Sequence, residues 1–247
     1  MSGVGSFFDE YSLKARVWPA AIVASPALTL LAFTPKASVT ALVSGAVFLA
    51  MTMLAVQLIL HSGHRTEARL VAAWGGMPTT KMLRTSNSDA PRLVAERRRH
   101  VERVAGLTLP TAEDERASPA HADQEYAHAV GRCIDLVRDE RPSRLLKVEN
   151  IAYGFRRNLR SARAAGIIVA AVAFAAGVGL GIFLNAPTSG VIAGTYSLVL
   201  LIVWVFAIRD NLVRDQSEKY AQRFFRTVEA HNAIADGANS LPPANGG

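Results

Sequence analysis

The side chains best suited to hold a ligand lie in two short segments of this sequence. In the first, WGGMPTTKMLR, adjacent glycines permit a backbone that turns several N–H groups toward one point. Two threonines add hydroxyl groups near a new helix N-terminus, and a lysine and an arginine add positive charge. The residues concerned are Trp74, Gly75, Gly76, Thr79, Thr80, Lys81 and Arg84. They suit a phosphate, although the spacing is not that of a P-loop, and they also serve as a simple helix stop, turn and restart.

The second segment, ENIAYGFRRNLR, combines amide, aromatic and guanidinium groups. On a helix, Asn150, Tyr153 and Arg157 fall on one side, and Gly154 leaves space for an approaching group. If the two segments meet, these residues and Arg156 complete one basic, aromatic pocket. We expect such a pocket to bind an anionic small molecule or a nucleotide.

These same two segments carry a resemblance. WGGMPTTKMLR and ENIAYGFRRN resemble signature segments of uncharacterised bacterial inner-membrane proteins that have two membrane helices on each side of a cytosolic region. The resemblance covers the ends of that region. It implies the topology and the importance of both segments, and it transfers no activity and no catalytic residue.

Four long apolar runs must position these segments. Half of the 247 residues are apolar and 19% are charged, yet the formal charge is +7, as expected for membrane helices with basic flanks. The runs contain no Asp, Glu, Lys or Arg and cover residues 17–34, 39–60, 164–184 and 191–208. Each is long enough to cross a hydrocarbon core of about 30 Å. The sequence therefore predicts an all-α membrane protein with four transmembrane helices arranged as two hairpins, 17–60 and 164–208, in a lipid bilayer.

The basic residues predict the topology of these helices. Nineteen of the 27 Lys and Arg lie between the second and third runs, and the second short turn has none. By the positive-inside rule, we expect the termini and the central segment to face the cytoplasm, and the resemblance implies a bacterial inner membrane. Residues 1–16 then form a cytosolic N-terminal segment. The single cysteine, Cys133, rules out a disulfide framework.

Residues 61–163 are predicted to form a cytosolic domain of helical stalks and a small helical bundle. One stalk extends the second membrane helix to Gly75 and Gly76. Another leads into the third membrane helix and carries an apolar stripe of Leu145, Val148, Ala152, Phe155 and Leu159. A C-terminal helix over 209–235 continues the fourth membrane helix, and a disordered tail follows at 236–247.

Two further helices are expected between the stalks. APRLVAERRRHVERVAG has Asp89 as its expected N-cap, and PAHADQEYAHAVGRCIDLVRDE carries Tyr126 on an apolar stripe. The polar, turn-rich TLPTAEDERASP between them is expected to be a mobile loop. The run Arg97 to Arg99 suits a solvated face or lipid headgroups, and without stacking aromatics we expect no nucleic acid.

The third apolar run carries a face of small residues, which let two helix backbones approach closely in lipid. They are Gly166, Ala170, Ala173, Gly177 and Gly181. The face serves either helix packing within one chain or an interface of a homo-oligomer.

No enzyme signature is present, so we assign no catalytic residue, metal or cofactor, and an enzyme is the minority interpretation. The favoured function is a membrane signalling or effector protein. Its cytosolic region binds an anionic ligand or protein partner and passes the change to the membrane helices, in the extreme case as a pore. The alternatives are a membrane-embedded enzyme or lipid-handling protein that grips a lipid phosphate, and an accessory subunit of a membrane complex.

Overall fold

A computed structural model of the chain describes residues 13–33, 57–58, 61–87, 89–137, 143–183 and 185–239. Every regular element in these ranges is helical. A π-helical turn, Leu13–Val17, precedes the first of ten helices. They are α1 (Trp18–Ala32), α2 (61–74), α3 (Pro78–Lys81), α4 (Pro91–Ala105), α5 (Ala112–Ala117), α6 (Pro119–Val137), α7 (Ser143–Ser161), α8 (Arg163–Phe183), α9 (Pro187–Phe206) and α10 (Asp210–Asn239).

The chain forms two compact units. We call Met1–Leu70 with Ile151–Arg214 the apolar unit, and Val71–Asn150 with Asp215–Gly247 the polar unit. The chain passes from one unit to the other within α2, α7 and α10.

The apolar unit contains three helices that are long and apolar enough to cross a membrane. They are Lys14–Ala32, Arg163–Phe183 and Pro187–Phe206. These correspond to the first, third and fourth predicted runs. The second predicted run, 39–60, lies outside the described residues except for 57–58, so the fourth span and the two-hairpin arrangement stay predictions.

The helix ends of the polar unit follow from local chemistry. Helix α2 ends where Gly75 and Gly76 take φ values of +71° and +122°, which other residues rarely adopt. Gly106 ends α4 in the left-handed conformation. Helix α5 begins with a capping box, in which the Thr111 side chain and backbone pair with the backbone and side chain of Asp114. The expected loop TLPTAEDERASP is therefore wrong in its centre, where these residues form a capped helix.

One apolar cluster forms the core of the polar unit. It gathers buried side chains from the segment after α3, from α4, from α6 and α7, and from α10. Its largest fully buried members are Tyr126, Phe224, Leu83, Val101, Val137 and Val228. Tyr126 and Val137 lie on the apolar stripe predicted for α6, which confirms that face.

Three finer expectations require correction. Ala90 is the N-cap residue of α4, and Asp89 instead accepts a hydrogen bond from Arg97. Leu145 and Val148 are 54% and 52% exposed, because α7 buries Leu146 instead. The helix after the fourth run is interrupted at 207–209, and α10 then continues to Asn239, four residues into the expected disordered tail.

Candidate functional site

The carboxylate of Glu115 on α5 organises the end of the WGGMPTTKMLR segment. Its oxygens accept from the backbone N–H groups of Thr85 and Ser86 at 2.8 and 3.3 Å, and from their hydroxyl groups at 3.0 and 2.7 Å. The Tyr126 hydroxyl donates a fifth bond at 2.9 Å. Burial alone would raise the pKa of Glu115, but the hydrogen bonds outweigh it and lower the pKa to about 2. Glu115 is therefore ionised and anchors Thr85, Ser86 and Tyr126 by hydrogen bonds. These donors need no oxygen from a ligand as their acceptor.

Arg98 on α4 links Tyr126, a hydrogen-bond partner of Glu115, to two backbone segments. Its guanidinium donates to the carbonyl oxygens of Leu83 and Pro110, and to the Tyr126 hydroxyl at 2.9 Å. The guanidinium carbon also lies 5.4 Å from the centre of the Tyr126 ring. The solvated or lipid-facing position expected for Arg98 is wrong, because three oxygen acceptors hold this side chain within the polar unit.

Arg84 is also engaged by groups of its own unit. Its Nε donates to Asp123 on α6 at 2.8 Å, and Nη2 donates to the Gly75 carbonyl oxygen at 2.8 Å. The bond to Asp123 raises the pKa of Arg84, so this guanidinium stays charged throughout the ordinary pH range. Lys81 Nζ donates to the Trp74 carbonyl oxygen at 2.7 Å. Both cations thus close the turn that follows α2.

The two threonines of this segment face inward. Thr79 and Thr80 are each 5% exposed, so they do not present an open hydroxyl surface. The preceding residues are more accessible: Gly75 is exposed, and Trp74 and Gly76 are half-buried. Asn150, at the far end of the polar unit's part of α7, is also half-buried.

In the apolar unit, the carboxylate of Glu67 on α2 engages the second segment. It accepts from the Tyr153 hydroxyl at 2.7 Å and from Arg157 Nη1 at 2.7 Å. Tyr153 and Arg157 are 6% and 9% exposed, so the ion pair is largely shielded from solvent. Arg156, between them, is half-buried.

The next residue, Asn158, fixes a close approach between α2 and α7. Its side-chain nitrogen donates to the Ala15 carbonyl oxygen at 2.8 Å. A methyl group added at Gly63 would come within 2.5 Å of the Asn158 Oδ1 atom. Only glycine therefore fits at Gly63 without displacing the Asn158 side chain. Two residues further on, Arg160 donates to Asp210 at 2.6 Å.

The small-residue face of α8 packs against α9 within the chain. Gly166, Ala170, Ala173 and Gly177 are buried, and Gly166 faces the Trp204 ring. A methyl group at Gly177 would come within 2.8 Å of the Gly194 backbone nitrogen. Gly181 is likewise beside Gly190, where a methyl group would come within 2.7 Å of the Gly181 nitrogen. The two backbones thus approach closely around Gly177 and Gly181.

The predicted ligand residues are therefore divided between the units. Those from Trp74 to Asn150 belong to the polar unit, and Tyr153, Arg156 and Arg157 belong to the apolar unit. A joint pocket formed by both groups stays a prediction.

Sequence reasoning missed the acidic partners of these basic residues. They are Glu67, Glu115, Asp123 and Asp210. Glu67 could have been noticed as the single acid in the otherwise basic and apolar stretch from His61 to Trp74. Asp123, 39 residues from Arg84, gave no local signal.

Two further features of the polar unit are a buried thiol and an open groove. Burial raises the pKa of Cys133 to about 12, so its reactive thiolate form is suppressed. A groove of about 300 Å³ runs between α4 and α10, with Arg97 and Phe225 on its two walls. It is distinct from the residues predicted to bind a ligand.

Comparison with protein-family models, with characterised proteins and with solved structures finds no significant match to this chain.

Proposed function

We propose that this chain is a signalling or effector protein of a bacterial inner membrane, with both termini in the cytoplasm. Its polar unit is then cytosolic and acts by binding a protein partner. The distribution of basic residues supports this topology, and the three long apolar helices support a membrane location.

A protein partner is favoured by the difference between charged side chains that are paired within the chain and charged side chains that are exposed. Arg84 is held by Asp123 and Arg157 by Glu67, whereas Arg226 and Glu229 in the groove of the polar unit are exposed. Neither groove residue has an ion pair within the described part of the chain. Exposed charges of both signs around an open groove suit a protein surface better than a free anion.

In this proposal, partner binding is passed to the membrane helices along the chain segments that join the units. These are α2, α7 and α10. A change in the tilt or spacing of the membrane helices is then the output, and a regulated pore is its extreme form.

An anionic ligand is the second candidate, favoured by the accessibility of one ion pair. The side chains of Arg84 and Asp123 are 24% and 32% exposed. A phosphate or carboxylate from solvent can therefore reach Arg84 and compete with Asp123. Release of Arg84 would also free the Gly75 carbonyl oxygen and loosen the turn after α2.

Native mass spectrometry of the full chain, released from membranes in a mild detergent, separates these functions. We expect a stoichiometric polypeptide, either another protein or a second copy. A bound nucleotide or phosphate compound that is lost in Arg84→Ala would support the second candidate. A phospholipid retained through delipidation would support lipid handling, and an empty monomer would contradict the proposal.

The double variant Arg84→Ala with Arg157→Ala tests the predicted joint pocket directly. If both segments hold one ligand, ligand mass is lost while the polypeptide partner remains. Unchanged ligand content in a double variant that still folds would exclude that pocket.

A further inference from the structure

The wall of the groove that α10 provides is a regular stripe of exposed polar side chains. Gln222, Arg226 and Glu229 follow each other at intervals of four and three residues, so they lie on one face of the helix. All three are exposed. Ala233, the next residue on this face, is also exposed and is small. Beneath the stripe, Phe225 is 7% exposed and belongs to the core, so the stripe rests on a fixed base.

The wall that α4 provides is held in place by internal contacts. Arg97 pairs with Asp89, and its guanidinium carbon lies 5.2 Å from the centre of the Phe225 ring. Asn232, which is 3% exposed, donates from Nδ2 to the His100 carbonyl oxygen at 3.1 Å. Because a carbonyl oxygen can only accept, this bond fixes the orientation of the amide.

The same amide nitrogen lies 3.0 Å from His100 Nδ1. Since Nδ2 is a donor, Nδ1 serves as the acceptor in this contact. The orientation of His100 is thus set by contacts within the chain. The groove is a preformed surface.

The charges of this surface are balanced. Two arginines, Arg97 and Arg226, and two glutamates, Glu96 and Glu229, line it. A site for a small anion needs an excess of positive charge, which these residues do not supply. A surface that carries both signs in a regular order is instead suited to a copy of itself, because a two-fold axis brings each residue opposite another residue of the same set.

We propose that the groove binds α10 of a second copy of this chain, so that two α10 helices pair in antiparallel orientation. Arg226 of each copy faces Glu229 of the other, and Gln222 faces Ala233. Both ion pairs form together because the two-fold axis passes between positions 226 and 229. The stripe of one copy enters the groove of the other, as side-chain ridges enter grooves in packed helices. This inference rests on the proposed function, since it names the protein partner.

The interface is of modest length. From Gln222 to Ala233 the helix rises about 17 Å, at about 1.5 Å per residue. A contact of this size is sufficient when the chains share one membrane, because confinement raises their effective concentration. We therefore expect the pairing in membranes and in nanodiscs that hold two chains.

Charge reversal in the full chain tests the pairing. Two differently tagged copies are co-expressed and extracted in nanodiscs, and the fraction that co-purifies is measured together with the unfolding temperature. We expect wild-type copies to co-purify. Arg226→Glu alone and Glu229→Arg alone should each reduce recovery at least tenfold, because each variant places like charges opposite each other. Arg132→Glu, an exposed charge reversal on α6, is the matched control and should behave as wild type.

The decisive experiments combine the Arg226→Glu and Glu229→Arg variants. A copy with Arg226→Glu and a copy with Glu229→Arg should recover each other at wild-type level, since every facing pair is again of opposite charge. The double variant in one chain should pair with itself. Failure of both rescues with intact folding overturns the inference, as does co-purification that ignores all four charges. A stable complex with a different polypeptide and none between copies would overturn this inference and leave the proposed function standing, whereas no polypeptide partner at all would overturn both.

Discussion

The long apolar helices and the polar unit bring their segments together by opposite means. In the apolar unit, α8 and α9 approach where side chains are missing, and Gly177 lies against the backbone of Gly194. In the polar unit, segments are joined where a carboxylate collects donors, as Glu115 does with five hydrogen bonds. Helices in lipid gain no hydrophobic drive toward one another and depend on close packing, whereas helices in water can also use charge.

The difference shows why the two motif segments behave alike although they lie in different units. Arg84 and Arg157 both lie outside the long apolar helices, and each is held by a carboxylate from another helix. Their first role is to fix turns and helix pairs. Any ligand that binds there must compete with that role.

The largest effect is expected when the buried ion pair of the apolar unit is broken. Glu67→Ala leaves Arg157 without its carboxylate at 9% exposure, and breaking such a pair costs about 3 to 5 kcal/mol. Tyr153→Phe removes the hydroxyl that donates to the same carboxylate but leaves the ion pair in place, so it should cost less, about 1.5 to 3 kcal/mol. Unfolding by SDS titration in mixed micelles measures both. Equal costs for the two variants would show that the ion pair is not the dominant contact.

Overpacking of the close helix contact should cost somewhat less. In Gly177→Ala the added methyl group meets backbone atoms of Gly194, which cannot rotate away, and overpacking costs about 1 to 3 kcal/mol. Gly179→Ala is the matched control, because its methyl group would have an ordinary contact of 3.9 Å with Phe183. The same SDS titration should separate the two variants. A Gly177→Ala protein as stable as the control would contradict the close contact between α8 and α9.

Removal of the charge at the centre of the polar unit should have a more local effect. Glu115→Gln replaces an acceptor oxygen by an NH₂ group that faces donors from Thr85 and Ser86, at a cost of about 2 kcal/mol. Hydrogen exchange of peptides that contain residues 85–87 should report faster local opening. Glu113→Gln, on the exposed side of the same short helix, should leave exchange unchanged. Faster exchange in both variants would point to general loosening of α5 instead.

The sequence predicted the apolar unit better than the polar unit for a physical reason. Charge-free runs and a small residue every three or four positions are local patterns, and one stretch of chain contains them completely. They located three helices long and apolar enough to cross a membrane, and the small face that packs in the chain. Ion pairs are not local: Asp123 is 39 residues from Arg84, and Glu67 is 90 residues from Arg157.

This asymmetry also explains the errors in the polar unit. The polar, turn-rich composition of TLPTAEDERASP predicted a loop, because the local sequence shows no structural role for Glu115. Its role follows only once the chain brings Thr85, Ser86 and Tyr126 around it. The prediction that Leu145 and Val148 lie on a covered apolar face was wrong for a similar reason. Helical spacing shows which residues share a face, but it does not show whether another element covers that face.

The smallest expected effect is the loss of the hydrogen bonds of Glu115 in acid, when its carboxylate gains a proton. The pKa of Glu115 in the folded chain is about 2, below its ordinary value of 4.5. A carboxylate with a lowered pKa contributes stability that is complete above about pH 4.5 and falls as the pH approaches 2. Hydrogen exchange at residues 85–87, corrected for the intrinsic rate, should therefore show progressive opening across this window and none between pH 5 and 7. Glu115→Gln has no proton to gain, so it should lack this dependence, and an identical acid response in that variant would assign the opening to other groups.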